Sequence, residues 1–200
     1  INKKKFIYLI SPNKIYPEFY HDLNQVLRTG KVALFQLRLK KYSLKQKIVI
    51  GKKIQRICKK NNIKFIVNDD PILSKTLNAD GCHLGQKDMD IKNARKIIGK
   101  KIIGVTCHNS IKLAKAAIKE NADYIAFGAF FSTKTKKVKF KADIKILNKI
   151  KKLTKTPIVA IGGINFDNYK KLLLNNANLL AISSYVWNNK KYKPLETIEK

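Results

Sequence analysis

Carboxylates are scarce in this chain: 13 Asp and Glu stand against 43 Lys and Arg in 200 residues, leaving a net charge of +30. Arginine is scarce too, occurring only at Arg28, Arg38, Arg56 and Arg95, so the excess is nearly all lysine, spread along the whole chain. Proteins that read nucleic-acid sequence lean on arginine and gather their charge on one face. The charge therefore reads as a compositional bias laid over an ordinary fold, one that draws in anionic small molecules and implies no specific nucleic-acid partner. The three cysteines, Cys58, Cys82 and Cys107, are odd in number, far apart and set in apolar patterns. That argues against a disulfide framework or a cysteine metal knuckle and fits a reducing, cytoplasmic setting. No apolar run approaches the roughly 20 residues of a membrane span. The lysines at the start, followed by FIYLI, have the outline of a signal peptide, but the apolar part is short and runs into Ser11-Pro12, so it reads as a first buried strand. None of His21, His83 and His108 has a nucleophile beside it in a triad pattern, which argues against acyl transfer.

What remains is a globular composition, 44% hydrophobic and 28% charged. The length suits one domain and lies near the lower limit of an eight-fold βα barrel. Short, continuously apolar stretches recur along the chain: FIYLIS, VALFQLR, KFIV, GCHLG, KIIGVTC, YIAFGAFF, PIVAI and LLAIS. Amphipathic helical patterns lie between them, predicted over 18–29, 44–61, 71–77, 91–98, 110–121, 143–153 and from Asn165 or Asp167 to 175. The strand at YIAFGAFF is predicted over 124–131, and the tail over 188–200 carries at most one short helix from Pro194. Strands apolar on both faces and separated by helices indicate a parallel sheet, and eight of them indicate a closed barrel. The expected class is α/β, a single-domain (β/α)8 TIM barrel with outer helices and a core over about residues 6–187.

In such a barrel the carboxyl ends of the strands converge on one face. They would bring together Gln36, Arg38 and Lys40 from strand two, Asn68, Asp69 and Asp70 from strand three, and Gln86 and Asp88 from strand four. Thr106 and His108 come from strand five, Thr133, Thr135 and Lys136 follow strand six, and Gly162, Gly163, Ser183 and Ser184 follow strands seven and eight. The stretch 64–90 is the richest: Asp69, Asp70, Asp80, Asp88 and Asp90 all fall inside it. Oxygen donors without a His pair or CxxC suit a hard cation such as Mg²⁺, the usual companion of a phosphorylated substrate. A purely structural reading of the same residues is that Asp69 and Asp70 cap the helix opening at Pro71 and that Asp88 or Asp90 caps the next. Gly162-Gly163 with Ser183-Ser184 matches the phosphate site that barrels build after strands seven and eight, although a bare GG also serves any tight turn. His83 reads as a satisfied core histidine.

Six motifs, in order, carry a resemblance: QLRLK at 36–40, NDD at 68–70, GCHLGQKD at 81–88, GVTCH at 104–108, the run 122–136, and AIGGI at 160–164. The chain from Phe6 to about Trp187 resembles thiamine phosphate synthase. The resemblance implies a transferase that joins 4-amino-2-methyl-5-(diphosphooxymethyl)pyrimidine to 4-methyl-5-(2-phosphoethyl)thiazole, releasing diphosphate through a pyrimidine-cation intermediate. It implies Mg²⁺ on Asp69 and Asp88, and the pyrimidine diphosphate on Gln36, Arg38, Lys40, Asn68, Thr106 and Lys136, with Lys136, Arg38 and Thr106 serving the chemistry. It places the thiazole and its phosphate on Thr133, Thr135, Gly163, Ile182 and Ser183. Leu39, Thr106 and Ser132 depart from the residues frequent in the family, where Glu, Ser and Pro stand. Two other readings are a thiazole tautomerase of the same fold, which needs no diphosphate site, and a basic nucleic-acid-binding protein, which leaves the polar strand ends unexplained. Assembly into a homo-oligomer is allowed by the sequence and not specified by it.

Overall fold

The computed structural model describes residues 5–132 and 140–200. In chain order the elements are β1 (Ile7–Ile10), α1 (Phe19–Arg28), β2 (Val32–Leu37), α2 (Leu44–Lys60), β3 (Lys64–Asn68), α3 (Pro71–Thr76), β4 (Gly81–Leu84) and α4 (Ile91–Ile98). They continue with β5 (Ile102–His108), α5 (Ile111–Lys119), β6 (Tyr124–Gly128), α6 (Lys145–Lys151), β7 (Ile158–Ile161), α7 (Tyr169–Leu174), β8 (Leu179–Ile182), α8 (Ser184–Trp187) and α9 (Pro194–Glu199). Each strand pairs in parallel with the next and β8 pairs back with β1, closing the expected eight-stranded barrel.

Period-two alternation explains why the strands are apolar throughout. Tyr8, Ile10, Ile66, Tyr124, Ala126, Val159 and Ala181 point inward and fill the barrel. Their sequence neighbours, such as Leu9, Phe65, Val67, Ile125 and Phe127, point outward under the helices. Each such side chain, fully removed from water, contributes about 1.5–3 kcal/mol. The helices begin where the sequence supplies a cap. Ser43 and Gln46 form a capping box for α2, and Ser110 Oγ accepts from Leu113 N at the start of α5.

At the amino end of the barrel three pairs of strands are clasped in one way. Phe65 N donates to Asp80 Oδ2 while Asp80 N donates to Phe65 O (2.9 and 2.8 Å). Ile103 and Asp123 repeat the exchange (2.8 and 2.8 Å), as do Ile158 and Asn178 (2.9 and 2.8 Å). In each case the polar residue stands immediately before the next strand.

Three elements differ from expectation. The strand expected over 124–131 stops at Gly128, because the next backbone groups turn to other partners: Ala129 N donates to Phe140 O and Ala142 N to Ala129 O. The polar residues 183–184, expected at the end of a strand, instead open α8, and Trp187 at its end donates from Nε1 to Ile10 O (2.6 Å). The helix expected from Asn165 or Asp167 begins at Tyr169, since Asn165 Oδ1 accepts from Asp167 N and Asn168 N and holds a turn there.

All three cysteines are free and fully buried, and burial pushes their thiols up, Cys82 and Cys107 to about 12. The native chain is therefore expected to show no reaction with an aromatic disulfide reagent at pH 8, and three equivalents in denaturant. Rapid reaction of even one thiol in the folded protein would contradict this burial.

Candidate active site

The mouth at the carboxyl ends of the strands separates the five aspartates of 64–90 by task. Asp70 Oδ1 accepts from Leu73 N (2.8 Å) and caps α3, and Asp90 Oδ1 accepts from Asn93 N (2.8 Å) and caps α4. Asp80 belongs to the clasp at the opposite end. Asp69 and Asp88 remain, and neither caps a helix: the structural reading holds for their neighbours only. Asp69 sits at φ +64°, a left-handed conformation that Asp tolerates better than most residues, with its N–H donating to His83 O (2.7 Å). That turn aims its carboxyl into the mouth, where it meets Lys40 Nζ at 3.0 Å and the carboxyl of Asp88. Asp88 Oδ2 in turn accepts from Gly85 N (2.7 Å).

Two carboxyls in contact cannot both stay charged unless a proton or a cation joins them. Burial pushes Asp69 up, but the Lys40 ammonium and the hydrogen bond with Asp88 outweigh it and leave its pKa below the ordinary value. Burial and the Asp69 charge push Asp88 up, against the Gly85 N–H that lowers it. The donors are all oxygen, as a hard divalent cation prefers. Among the described residues no group of three or more His, Cys, Asp or Glu side chains gathers, so an ion on this pair would keep most of its shell for water and substrate oxygens.

The remaining residues expected at the site lie around this pair. Gln36 is buried in β2, with Nε2 donating to Tyr8 Oη. Arg38 follows β2, where its N–H donates to Ser11 Oγ (2.8 Å) and its guanidinium to Asn13 Oδ1 (3.2 Å). Burial lowers its pKa while the Asp69 charge works the other way. Asn68 ends β3, half buried. Thr106, in β5, has Oγ1 2.8 Å from His83 Nε2, and its carbonyl accepts from Gln86 Nε2. Ile182 ends β8, and Ser183 Oγ donates to Ser11 O (3.2 Å), so Ser11 joins the ends of β2 and β8. Gly163 takes φ +63°, and a Cβ there would stand 2.3 Å from Ser132 O, so the loop after β7 and the loop after β6 approach closer than any side chain allows. Thr133, Thr135 and Lys136 lie outside the described residues. Leu39 is buried among Leu37, Leu77 and their neighbours.

Sequence reasoning passed over Tyr8 and Tyr124, and with them the setting of His83. His83 is indeed a satisfied interior histidine, bonded at both ring nitrogens, and burial takes its pKa down to about 4 against the pull of Asp69. The available signal was a tyrosine at an inward position of two otherwise apolar strands, since a buried phenol demands a partner. His108 stacks on Phe140 with ring centroids 4.3 Å apart.

A closed parallel barrel with carboxylates, lysine, arginine and hydroxyls gathered at its carboxyl-end mouth defines a (β/α)8-barrel enzyme. Comparison with known proteins narrows the class. Residues 7–186 match the family model described as thiamine monophosphate synthase, and the chain belongs to that family. It is 66% identical over 199 residues to the thiamine-phosphate synthase of Pelagibacter ubique, covering 98% of this chain and 96% of the relative. It is 40% identical over 185 residues to that of Rhodospirillum centenum, covering 92% and 89%. The solved thiamine phosphate pyrophosphorylase of Pyrococcus furiosus superimposes with a TM-score of 0.86 at 29% identity, covering 99% of this chain and 94% of that one.

Proposed function

We propose that this chain is a magnesium-dependent thiamine-phosphate synthase, a transferase that joins 4-amino-2-methyl-5-(diphosphooxymethyl)pyrimidine to 4-methyl-5-(2-phosphoethyl)thiazole and releases diphosphate. The observation that carries this reading is the Asp69–Asp88 pair, released from capping and set beside Lys40 and Arg38. A tautomerase acting on a thiazole phosphate has no use for a carboxylate pair flanked by cations. The names and high identity of the relatives support the same reaction.

Asp69 and Asp88 would hold Mg²⁺, which when bound neutralises charge on the diphosphate. Gln36, Arg38, Lys40, Asn68, Thr106 and Lys136 bind the pyrimidine diphosphate; Thr133, Thr135, Gly163, Ile182 and Ser183 bind the thiazole and its phosphate. The C–O bond to diphosphate breaks first, its electron pair leaving with the oxygen. Arg38, Lys136 and Thr106 meet the negative charge that builds there. The thiazole nitrogen then closes the C–N bond with its lone pair. That nitrogen carries no proton to lose, so the mouth needs no general base, consistent with the histidine of the interior being neutral and internally bonded. Buried free thiols fit a reducing compartment, and we assign the protein to the cytoplasm, acting on small phosphorylated substrates. Among the described residues no helix is long and apolar enough to cross a membrane.

The test is diphosphate release by the purified chain. Release that requires both substrates and Mg²⁺, with thiamine phosphate as co-product, is the expected result. Folded protein that releases none, and instead isomerises a thiazole phosphate, would move the chain to the tautomerase.

A further inference from the structure

Five side chains cross the barrel interior as one hydrogen-bonded chain. Gln36 Nε2 is 2.7 Å from Tyr8 Oη, Tyr8 Oη 2.7 Å from Tyr124 Oη, Tyr124 Oη 2.9 Å from His83 Nδ1, and His83 Nε2 2.8 Å from Thr106 Oγ1. The first four are almost wholly buried, while Thr106 reaches the mouth. The chain links β2, β1, β6, β4 and β5, and its ends are two residues assigned above to the pyrimidine diphosphate.

The chain has a direction. An amide N–H only donates, so Tyr8 Oη accepts from Gln36, and the single proton of Tyr8 passes to Tyr124, its other partner among the described residues. Tyr124, accepting from Tyr8, gives its own proton to Nδ1 of His83. Nδ1 is then an acceptor, the ring proton sits on Nε2, and Nε2 donates to Thr106 Oγ1. With that lone pair occupied, the hydroxyl proton of Thr106 cannot face the ring. We propose that Tyr8, Tyr124 and His83 are positioning residues: they fix His83 as its Nε2–H tautomer and so turn the Thr106 hydroxyl proton into the mouth, as a donor to a diphosphate oxygen. The donor's target rests on the synthase reading; the tautomer does not.

Two measurements on the full chain test this. In protein labelled with ¹⁵N-histidine, long-range ¹H–¹⁵N correlation at pH 7, with His83 assigned by its loss in His83→Asn, should show a bare Nδ1 and a protonated Nε2. A protonated Nδ1 in the wild type would overturn the proposal. In Gln36→Glu the carboxylate takes the Tyr8 proton, the chain reverses, and Nδ1 should become the protonated nitrogen. Tyr8→Phe removes the source of direction, and His83 should become a mixture; a ring that stays wholly Nε2–H in both variants would refute the relay. The second measurement is binding of inorganic diphosphate with Mg²⁺. Thr106→Val and Tyr8→Phe should each weaken it about tenfold, the loss of one hydrogen bond to a charged group. The double variant should bind no worse than Thr106→Val alone, because Tyr8 acts through that hydroxyl. Additive losses would reduce Tyr8 to a structural part and overturn the donor role. Absence of any diphosphate binding by wild type would count against the synthase reading and remove the donor role with it, while the tautomer result stands by itself.

Discussion

Asp69→Asn is expected to cut diphosphate release by about 10²–10³-fold, the scale of losing a main electrostatic contact to the charge that develops in the transition state. The same change one residue on, Asp70→Asn, is expected to leave the rate near wild type. Asparagine suits both positions: it tolerates the φ of +64° at Asp69 and caps a helix as well as aspartate does at Asp70. The backbone is therefore preserved in each variant and only the charge is removed. Lys40 loses its partner in Asp69→Asn, but that pair is half exposed and contributes little to stability. Asp70→Ala, by contrast, should cost about 1 kcal/mol through the lost cap and leave turnover alone. Steady-state diphosphate release and thermal melts of the three variants make the comparison. Equal loss of activity in Asp69→Asn and Asp70→Asn would mean that the two carboxylates do not divide the work between chemistry and capping.

The largest expected loss of stability is at Gly104. A Cβ there would lie 1.8 Å from Cζ of Tyr124, inside the ring that packs across β5. Tyr124 is 3% exposed and hydrogen-bonded on both sides, so it has nowhere to go without breaking its bonds to Tyr8 and His83. Gly104→Ala combines overpacking with two severed buried hydrogen bonds, and about 3 kcal/mol or more is expected. In a chain of this length that lowers Tm by about 6–12 °C. Tyr124→Leu in the same chain frees the space and should recover part of the loss. A Gly104→Ala protein that melts with wild type would show that the strand absorbs the methyl elsewhere.

How far the molecule could be read in advance differs from element to element. The barrel was legible because each strand is apolar on both faces, a pattern with few other uses, and because eight of them alternate with amphipathic helices. The end of β6 was not: YIAFGAFF continues as an apolar run, but Ala129 finds its partners in Phe140 and Ala142, which no local pattern announces. Nor was α8, where Tyr185, Val186 and Trp187 look as much like a strand as a helix until Trp187 is seen to bond Ile10 O, 177 residues away. At the mouth, residue types pointed to Asp69, Asp70, Asp88 and Asp90 as a group. Their separation depended on the backbone at Asp69, whose positive φ turns one carboxylate away from its neighbour's task. The interior chain was hidden for a simpler reason: Tyr8 and Tyr124 stand 116 residues apart.

The clasps at the foot of the barrel set the height of the strands relative to one another. A slip of one residue between β3 and β4, β5 and β6, or β7 and β8 would break both bonds of a clasp at once and turn every inward side chain outward. The phase is thus fixed at the end remote from the mouth. Asn68, Thr106 and Ile182 keep their register at the rim through bonds made lower on the same strand pairs, and the rim itself is left free to hold groups that do little for the fold.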